Sequence, residues 1–207
     1  PIVVQAVNAV NKTALAREVM ESTLGVDKNA WLPALATRKF RSGTPKAKAT
    51  VVKNGDKTPG KVAIFATCYI NYNEPGIGHD LLKILDHNEV PYVIVEKEKC
   101  CGMPKLELGD LESVNDSKEA NIPVLARYAK EGYAILAAVP SCALMFKQEI
   151  PLMYPQDADV QLVKEAMWDP FEYLMQRKRD GLLKVDFPVA LGKVSYHIPC
   201  HGRVQNI

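Results

Sequence analysis

Apolar residues recur at near-helical spacing through the first 37 positions: Val3, Val4, Val7 and Val10, then Leu15, Val19 and Met20. That spacing predicts helix. Trp31, Leu32 and Leu35 predict a further short apolar helix or docking segment. From Gly43 to Gly60 the periodicity is lost and Gly, Pro, Lys and Thr dominate, which reads as a connector.

A different rhythm begins at Lys61. Lys61–Thr67 (KVAIFAT), Pro91–Val95 (PYVIV), Tyr133–Val139 (YAILAAV) and Lys193–His197 (KVSYH) are short runs of strand type. Between them lie helical patterns. After a Pro75-Gly76 turn, His79–His87 sets Leu81, Leu82, Ile84 and Leu85 on one face. Glu112–Glu131 turns Ile122, Leu125, Ala126 and Ala129 inward, with Pro123 marking a kink or a restart. A further helix runs through Leu144, Met145, Phe146 and Ile150. Asp169-Pro170 opens another in the cap-then-proline manner, carrying Phe171, Leu174 and Met175 and ending at Gly181. Strands alternating with helices predict an α/β fold, a parallel sheet with flanking helices, preceded by a helical N-terminal segment. Lys61-Val62 followed by Cys68 is echoed by Lys193-Val194 followed by Cys200, at an offset of 132. The chain therefore divides at 1–60, 61–192 and 193–207, the last stretch reading as the start of a second, truncated copy.

A hydrophobic content of 47% fits a globular protein. The longest apolar stretches, such as Ala134–Val139, are too short to span a bilayer. No basic region followed by an apolar segment and cleavage site opens the chain, so nothing points to secretion. Starting at Pro1 and stopping inside the echo, the chain reads as a fragment or a processed product. The net charge of +2 says little, but Arg38–Lys61 holds eight Lys or Arg against Asp56 alone. Such a segment suits an acidic partner, an anionic membrane surface or nucleic acid. Lacking interleaved aromatics and helical period, it reads first as a solvated linker.

Five cysteines, an odd count, make an awkward disulfide framework and point to a reducing compartment with thiols free for metal. Their placement carries more than their number. Cys68 follows the first predicted strand, Cys100-Cys101 the second, Cys142 the third and Cys200 the fourth. Ligands of open parallel sheets collect beyond the carboxyl ends of the strands, so all five thiols are expected at one edge. Gly102 would allow a tight turn that brings both vicinal thiols to one centre. Converging thiolates suit an iron–sulfur cluster first, zinc second and thiol–disulfide exchange third, since the paired C-x-x-C knuckles usual for zinc are absent. Gly76-Ile77-Gly78 lacks the third glycine of a dinucleotide loop, Leu81 standing there. Instead, that helix N-terminus could direct its N–H groups at an anionic cluster. His201 beside Cys200 is a candidate metal ligand or proton shuttle, His197 is expected to face the sheet, and His79 and His87 read as surface residues.

Cys68-Tyr-Ile-Asn-Tyr-Asn-Glu-Pro-Gly-Ile-Gly-His-Asp-Leu-Leu-Lys-Ile-Leu85, Glu98-Lys-Cys-Cys-Gly-Met-Pro104, Pro140-Ser-Cys-Ala-Leu-Met145 and Tyr196-His-Ile-Pro-Cys-His201 together resemble the cysteine-rich (CCG) domain family of iron–sulfur redox subunits. That family includes one of the subunits of heterodisulfide reductase and the iron–sulfur subunits of glycolate and lactate oxidases. A subunit of anaerobic glycerol-3-phosphate dehydrogenase belongs to it too, and the motifs resemble that member most. The resemblance covers about residues 61–207. It implies two CCG halves about a pseudo-twofold, each presenting cysteines to a metal centre, a noncubane 4Fe–4S cluster in some members and zinc in others. By residue, it implies Cys68, Cys100, Cys101 and Cys142 as ligands of the first half and Cys200 as the first ligand of the second. The family's C-x-x-C is here Cys142-Ala143-Leu144-Met145, so a fifth thiolate is missing. No second CCG follows Cys200, and residues 1–60 hold no cysteine for a ferredoxin-like relay. The implied function is an electron-transfer subunit of a multi-subunit oxidoreductase. It would pass electrons from a flavoprotein dehydrogenase subunit towards quinone or a thiol–disulfide acceptor, with a ferredoxin-like domain as a further partner and no nucleic acid. The implied place is the cytoplasm, with peripheral contact at the inner face of the cytoplasmic membrane. The rival readings are a zinc-binding docking module and a direct disulfide reductase.

Overall fold

In the computed structural model, which describes residues 2–205, three of the predicted runs form neighbouring parallel strands: β1 (Val62–Phe65), β2 (Tyr92–Ile94) and β3 (Ala134–Ala137). Val62 stands opposite Tyr92 on one side and Ala134 on the other. β1 and β3 are buried along their whole length, as strands covered on both faces must be. The fourth strand is not the predicted one. Lys193–His197 forms no strand, and Val194 and Tyr196 there are exposed. Its local alternation imitates a strand, but the sheet edge beside β3 is already filled. That edge is taken by β4 (Met167–Trp168), paired with Ile135 and Leu136.

The helices before the sheet are α1 (Ile2–Val10) and α2 (Ala14–Leu24), the latter closed by Gly25 at φ 69. Trp31–Leu35 does not continue them as helix. After β1 come α3 (Cys68–Tyr72), too short to show a period in sequence, and α4 (Pro75–His87). After β2 come α5 (Met103–Glu107) and α6 (Leu111–Lys130), which runs on through Pro123. After β3 comes α7 (Pro140–Leu144), widening at Met145–Glu149 into a turn where the Ile150 N–H reaches the Met145 carbonyl, then α8 (Ile150–Met153). Pro151 has no N–H to offer, so the regular ladder cannot continue there. The remainder are α9 (Ala158–Ala166), α10 (Pro170–Arg179) and α11 (Cys200–Val204). Asp169 and Glu172 close a capping box at the start of α10.

Two cores result. On one face Ala63, Phe65, Ile135 and Ala137 pack with Ile122 and Leu125 of α6, Phe146 and Val163. On the other, Val62, Ile64 and Leu136 pack with Leu81, Leu82 and Leu85 of α4, with Tyr173 of α10, and with Phe40. The fold is therefore α/β with helices on both faces.

Phe40 belongs to the segment read as a solvated connector. That segment has no helix or strand, yet it is fixed along its length. Phe40 N–H donates to the Asn71 carbonyl and Lys48 N–H to Asp86. The Lys53 carbonyl accepts from Arg177, and the Pro59 carbonyl from the Tyr173 hydroxyl. Phe40 supplies the apolar anchor that the composition of this stretch concealed.

Strand order β2-β1-β3-β4 reverses between β1 and β3. A reversal of this kind opens a crevice at the carboxyl ends, because connections leave the two strands towards opposite faces. Cys68 follows β1 and Cys142 follows β3, so both cysteines flank that crevice.

Candidate metal centre

Cys68, the Cys100-Cys101 pair and Cys142 are each delivered by a short device at the end of a strand. Past β1, Thr67 adopts φ 56, ψ 154 while almost wholly buried. For a β-branched residue this is a strained conformation, retained only where surroundings enforce it. The Thr67 hydroxyl accepts from Ile70 N–H at 3.2 Å, and the sharp turn starts α3 with Cys68 at the sheet edge. Past β2, Gly102 at φ 95 ends the Cys100-Cys101 pair and starts α5, a conformation open to glycine. Past β3, Pro140 opens α7 and places Cys142 in its first turn.

Asn121, 1% exposed on α6, fixes the vicinal pair from behind. Its carboxamide accepts from Lys99 N–H at 2.9 Å and donates to the Cys100 carbonyl at 3.0 Å. In the sequence Asn121 is one polar residue inside an amphipathic helix, with nothing local to mark its role. Asn121→Leu keeps the volume but leaves two backbone groups without partners, at a cost of about 1–3 kcal/mol. Urea denaturation of the metal-free chain should register that loss, together with a shift in Cys100 reactivity towards a thiol reagent.

The four thiols form a row of neighbours: Cys68, Cys100, Cys101, Cys142. Cys68 is exposed, Cys100 half-buried, and Cys101 and Cys142 are buried. The Cys100 thiol is held well below the ordinary range, first by the Cys101 thiol and next by that of Cys68, with the Gly102 and Cys101 N–H groups assisting. Cys68 and Cys101 are pushed up, foremost by their contacts with Cys100, then by burial and by Cys142. Negative charge on one sulfur thus forces protons onto its neighbours. Among the described residues, no three or more His, Cys, Asp or Glu side chains converge closely enough to hold one metal ion as they stand.

An open cleft of about 620 Å³ lies over the exposed end of the row. Cys68, Cys100, Arg41, Thr67, Asn71, Tyr72, Lys97, Glu98, Lys99 and Ser117 line it. Glu98 is nearly buried and bonds Arg41 at 2.8 Å. Burial raises its carboxyl, while Arg41 and the Ala66 N–H pull the other way. Glu98 opens one of the cysteine motifs, but nothing local in the sequence couples it to Arg41, 57 positions earlier.

Met145, where the resemblance led one to expect a fifth cysteine, is fully buried in the core beside Gly102. Cys200 does not follow a strand, because the predicted one is absent. It is exposed at the start of α11, which packs on α7 through the Gln205 to Pro140 carbonyl bond of 3.0 Å. His197 is exposed rather than facing the sheet, and His201 lies 3.8 Å from Glu107. His79 is half-buried, edge-on to Phe40. Gly78 serves packing, since a Cβ there would meet Phe40 at 2.6 Å.

The fold and its row of thiols define a cysteine-rich α/β domain, and residues 62–147 match the family model of the cysteine-rich domain, CCG. Among curated proteins it is similar to a subunit of the anaerobic glycerol-3-phosphate dehydrogenase of Escherichia coli, 26% identical over 94% of this chain and 48% of that protein. It is similar also to a subunit of the fumarate reductase (CoM/CoB) of Methanothermobacter marburgensis, at 28% over 85% of this chain and 33% of that one. An uncharacterized iron–sulfur protein of Methanocaldococcus jannaschii is 24% identical over 69% of this chain and 26% of its own length. The chain spans about half the length or less of these relatives. No solved structure matches it. No helix among the described residues is long and apolar enough to cross a membrane.

Proposed function

We propose that this chain is an electron-transfer element of a multi-subunit oxidoreductase, holding an iron–sulfur cluster through Cys68, Cys100, Cys101 and Cys142. The observation that carries the reading is the row of four adjacent thiols at the switch point of the sheet. The donor set fits such a group on charge. Four neighbouring sulfurs cannot all be thiolates unless a cation offsets their charge, and Cys68 and Cys101 are each pushed up by the sulfur beside them. When bound, the cluster supplies one-electron chemistry.

The residues divide the remaining work. Cys101 and Cys142 supply ligands from a dry core, which limits water access. Cys68 and Cys100 face the cleft, the route by which an electron would enter or leave. Asn121 and Gly102 hold the vicinal pair in place. Partners of the kind in which the relatives are named as subunits, a dehydrogenase or a reductase, would provide substrate chemistry, here assigned to a flavoprotein subunit. Quinone at a membrane surface or a thiol–disulfide couple would take the electrons, which would place the chain in the cytoplasm or against the inner face of the membrane. In a longer chain Cys200 would begin a second site.

Anaerobic purification followed by iron, labile sulfide and zinc analysis, with low-temperature EPR, tests this. Iron and sulfide in equal amounts, with an EPR signal on reduction, are expected. Stoichiometric zinc without sulfide or visible absorption would replace the redox reading by a structural zinc site.

A further inference from the structure

Two cysteine-bearing loops meet at one carboxylate. Glu98 Oε2 accepts from Ala66 N–H at 2.9 Å, two residues before Cys68, and Glu98 itself stands two residues before Cys100. Arg41 Nη2 binds that same oxygen at 2.8 Å and donates to the Val95 carbonyl at 2.7 Å. Arg41 is seated in turn. Its N–H donates to Asn71 Oδ1 at 3.2 Å, and its neighbour Phe40 is buried in the core. One guanidinium therefore ties three stretches: the end of β1, the loop beyond β2, and a segment that lies before the family-matched residues 62–147. The Glu98 side chain is only 8% exposed, so the pair is short, shielded and geometrically demanding.

We propose that Arg41 is a positioning residue for the thiol site, acting through Glu98 to fix the separation of Cys68 and Cys100. The N-terminal segment is then a working part of the metal centre. Groups that orient metal ligands without touching the metal commonly change affinity about 10–100-fold when removed. Charge alone would be supplied equally by Lys97 and Lys99 at the same cleft, both exposed and without an ion-pair partner among the described residues. What they do not supply is Arg41's placement, seated beside Phe40 and Asn71 so that one guanidinium nitrogen meets both Glu98 and the Val95 carbonyl.

This inference rests on the thiol row being the binding site, but not on which group is native to it. The probe is therefore Cd²⁺ alone, titrated into the reduced metal-free chain against a chelator, with thiolate-to-metal absorption counting the sulfurs engaged. Arg41→Ala should weaken Cd²⁺ binding about tenfold or more and lower the absorption per metal. Glu98→Gln should act alike, and the double variant should add little to either. Arg41→Lys should recover only part of the loss, and Lys97→Ala should change affinity little. Thermal melting of each metal-free variant separates positioning from unfolding, and if Arg41→Ala does not fold, Arg41→Lys and Glu98→Gln carry the test. Unchanged affinity and absorption in Glu98→Gln, full recovery in Arg41→Lys, or an equal loss in Lys97→Ala would each overturn the proposal. A wild-type chain that binds Cd²⁺ with this pattern, yet holds no iron or sulfide when isolated, would sink the electron-transfer reading and leave the positioning role standing.

Discussion

Cys101→Ser is expected to lower the iron and sulfide retained by the anaerobically isolated chain at least tenfold, about the scale on which metal sites respond to damage. Cys101 is the buried one of the two inner members of the row, with the sulfurs of Cys100 and Cys142 on either side. It is also 3% exposed, so neither water nor a stray side chain can take its place. Serine preserves the shape but offers a poor ligand for soft metal. Its hydroxyl would lie among Met103 and Met145 but keep the Met103 N–H and the neighbouring thiols within reach, so burying it costs little. The expected signature is therefore large metal loss with a modest drop in the melting temperature of the metal-free chain.

Cys68→Ser should behave differently. Its position is exposed at the cleft, where solvent or an added thiol can substitute, so partial metal content with an altered EPR spectrum is expected. Cys200→Ser, on exposed α11, should leave the content unchanged. Metal analysis across the three variants gives the ordering. Full iron and sulfide in Cys101→Ser would remove the row from the function altogether.

The sequence made the thiol site legible because cysteine is scarce and each thiol of the row follows an apolar run of strand type. β1, β2 and β3 could be read because strands covered on both faces need uninterrupted apolar residues. α4 and α6 could be read because each shows one apolar face, and α10 because of its Asp169-Pro170 start, although Phe171 and Met175 are exposed and Tyr173 is the buried residue. β4 could not: two residues at the end of an amphipathic helix carry no pattern of their own. Lys193–His197 failed in the opposite sense, having the local pattern of a strand without a place in the sheet. Its echo of Lys61–Cys68 is real as sequence, but in this chain only the first copy is a strand. The supports of the site were hidden for another reason. Thr67 is identifiable only by its backbone angles, Asn121 by what it faces, and the Arg41–Glu98 pair joins positions 57 apart. Pattern reading detects periodicity within one element, whereas these contacts depend on how separate elements are brought together.

Phe40→Ala is expected to destabilise the chain by about 3–5 kcal/mol, the usual range for truncating a fully buried aromatic. Against a typical total of about 5–15 kcal/mol, that is a large fraction. Phe40 is fully buried, with its ring 5.2 Å from that of His79, in a core shared with Leu82 and Leu85. Gly78 supplies a second handle. Its place within α4 would ordinarily favour alanine by about 1 kcal/mol. An added Cβ, however, would stand 2.6 Å from Phe40 Cε2 and 2.8 Å from Ile70 Cγ2. Gly78→Ala alone should therefore destabilise by about 1–3 kcal/mol through overpacking. In the Phe40→Ala background the contacts with the ring are gone and the one with Ile70 Cγ2 remains, so the same change should cost clearly less. Urea denaturation of the four chains closes the cycle, and contacting residues of this kind couple by about 0.5–3 kcal/mol. Strict additivity would mean that Phe40 does not pack on α4. Phe40 also precedes Arg41 in the chain, so its loss should weaken Cd²⁺ binding although it lies outside the cleft. A variant that lost stability while keeping full affinity would separate the anchoring of the N-terminal segment from the geometry of the thiols.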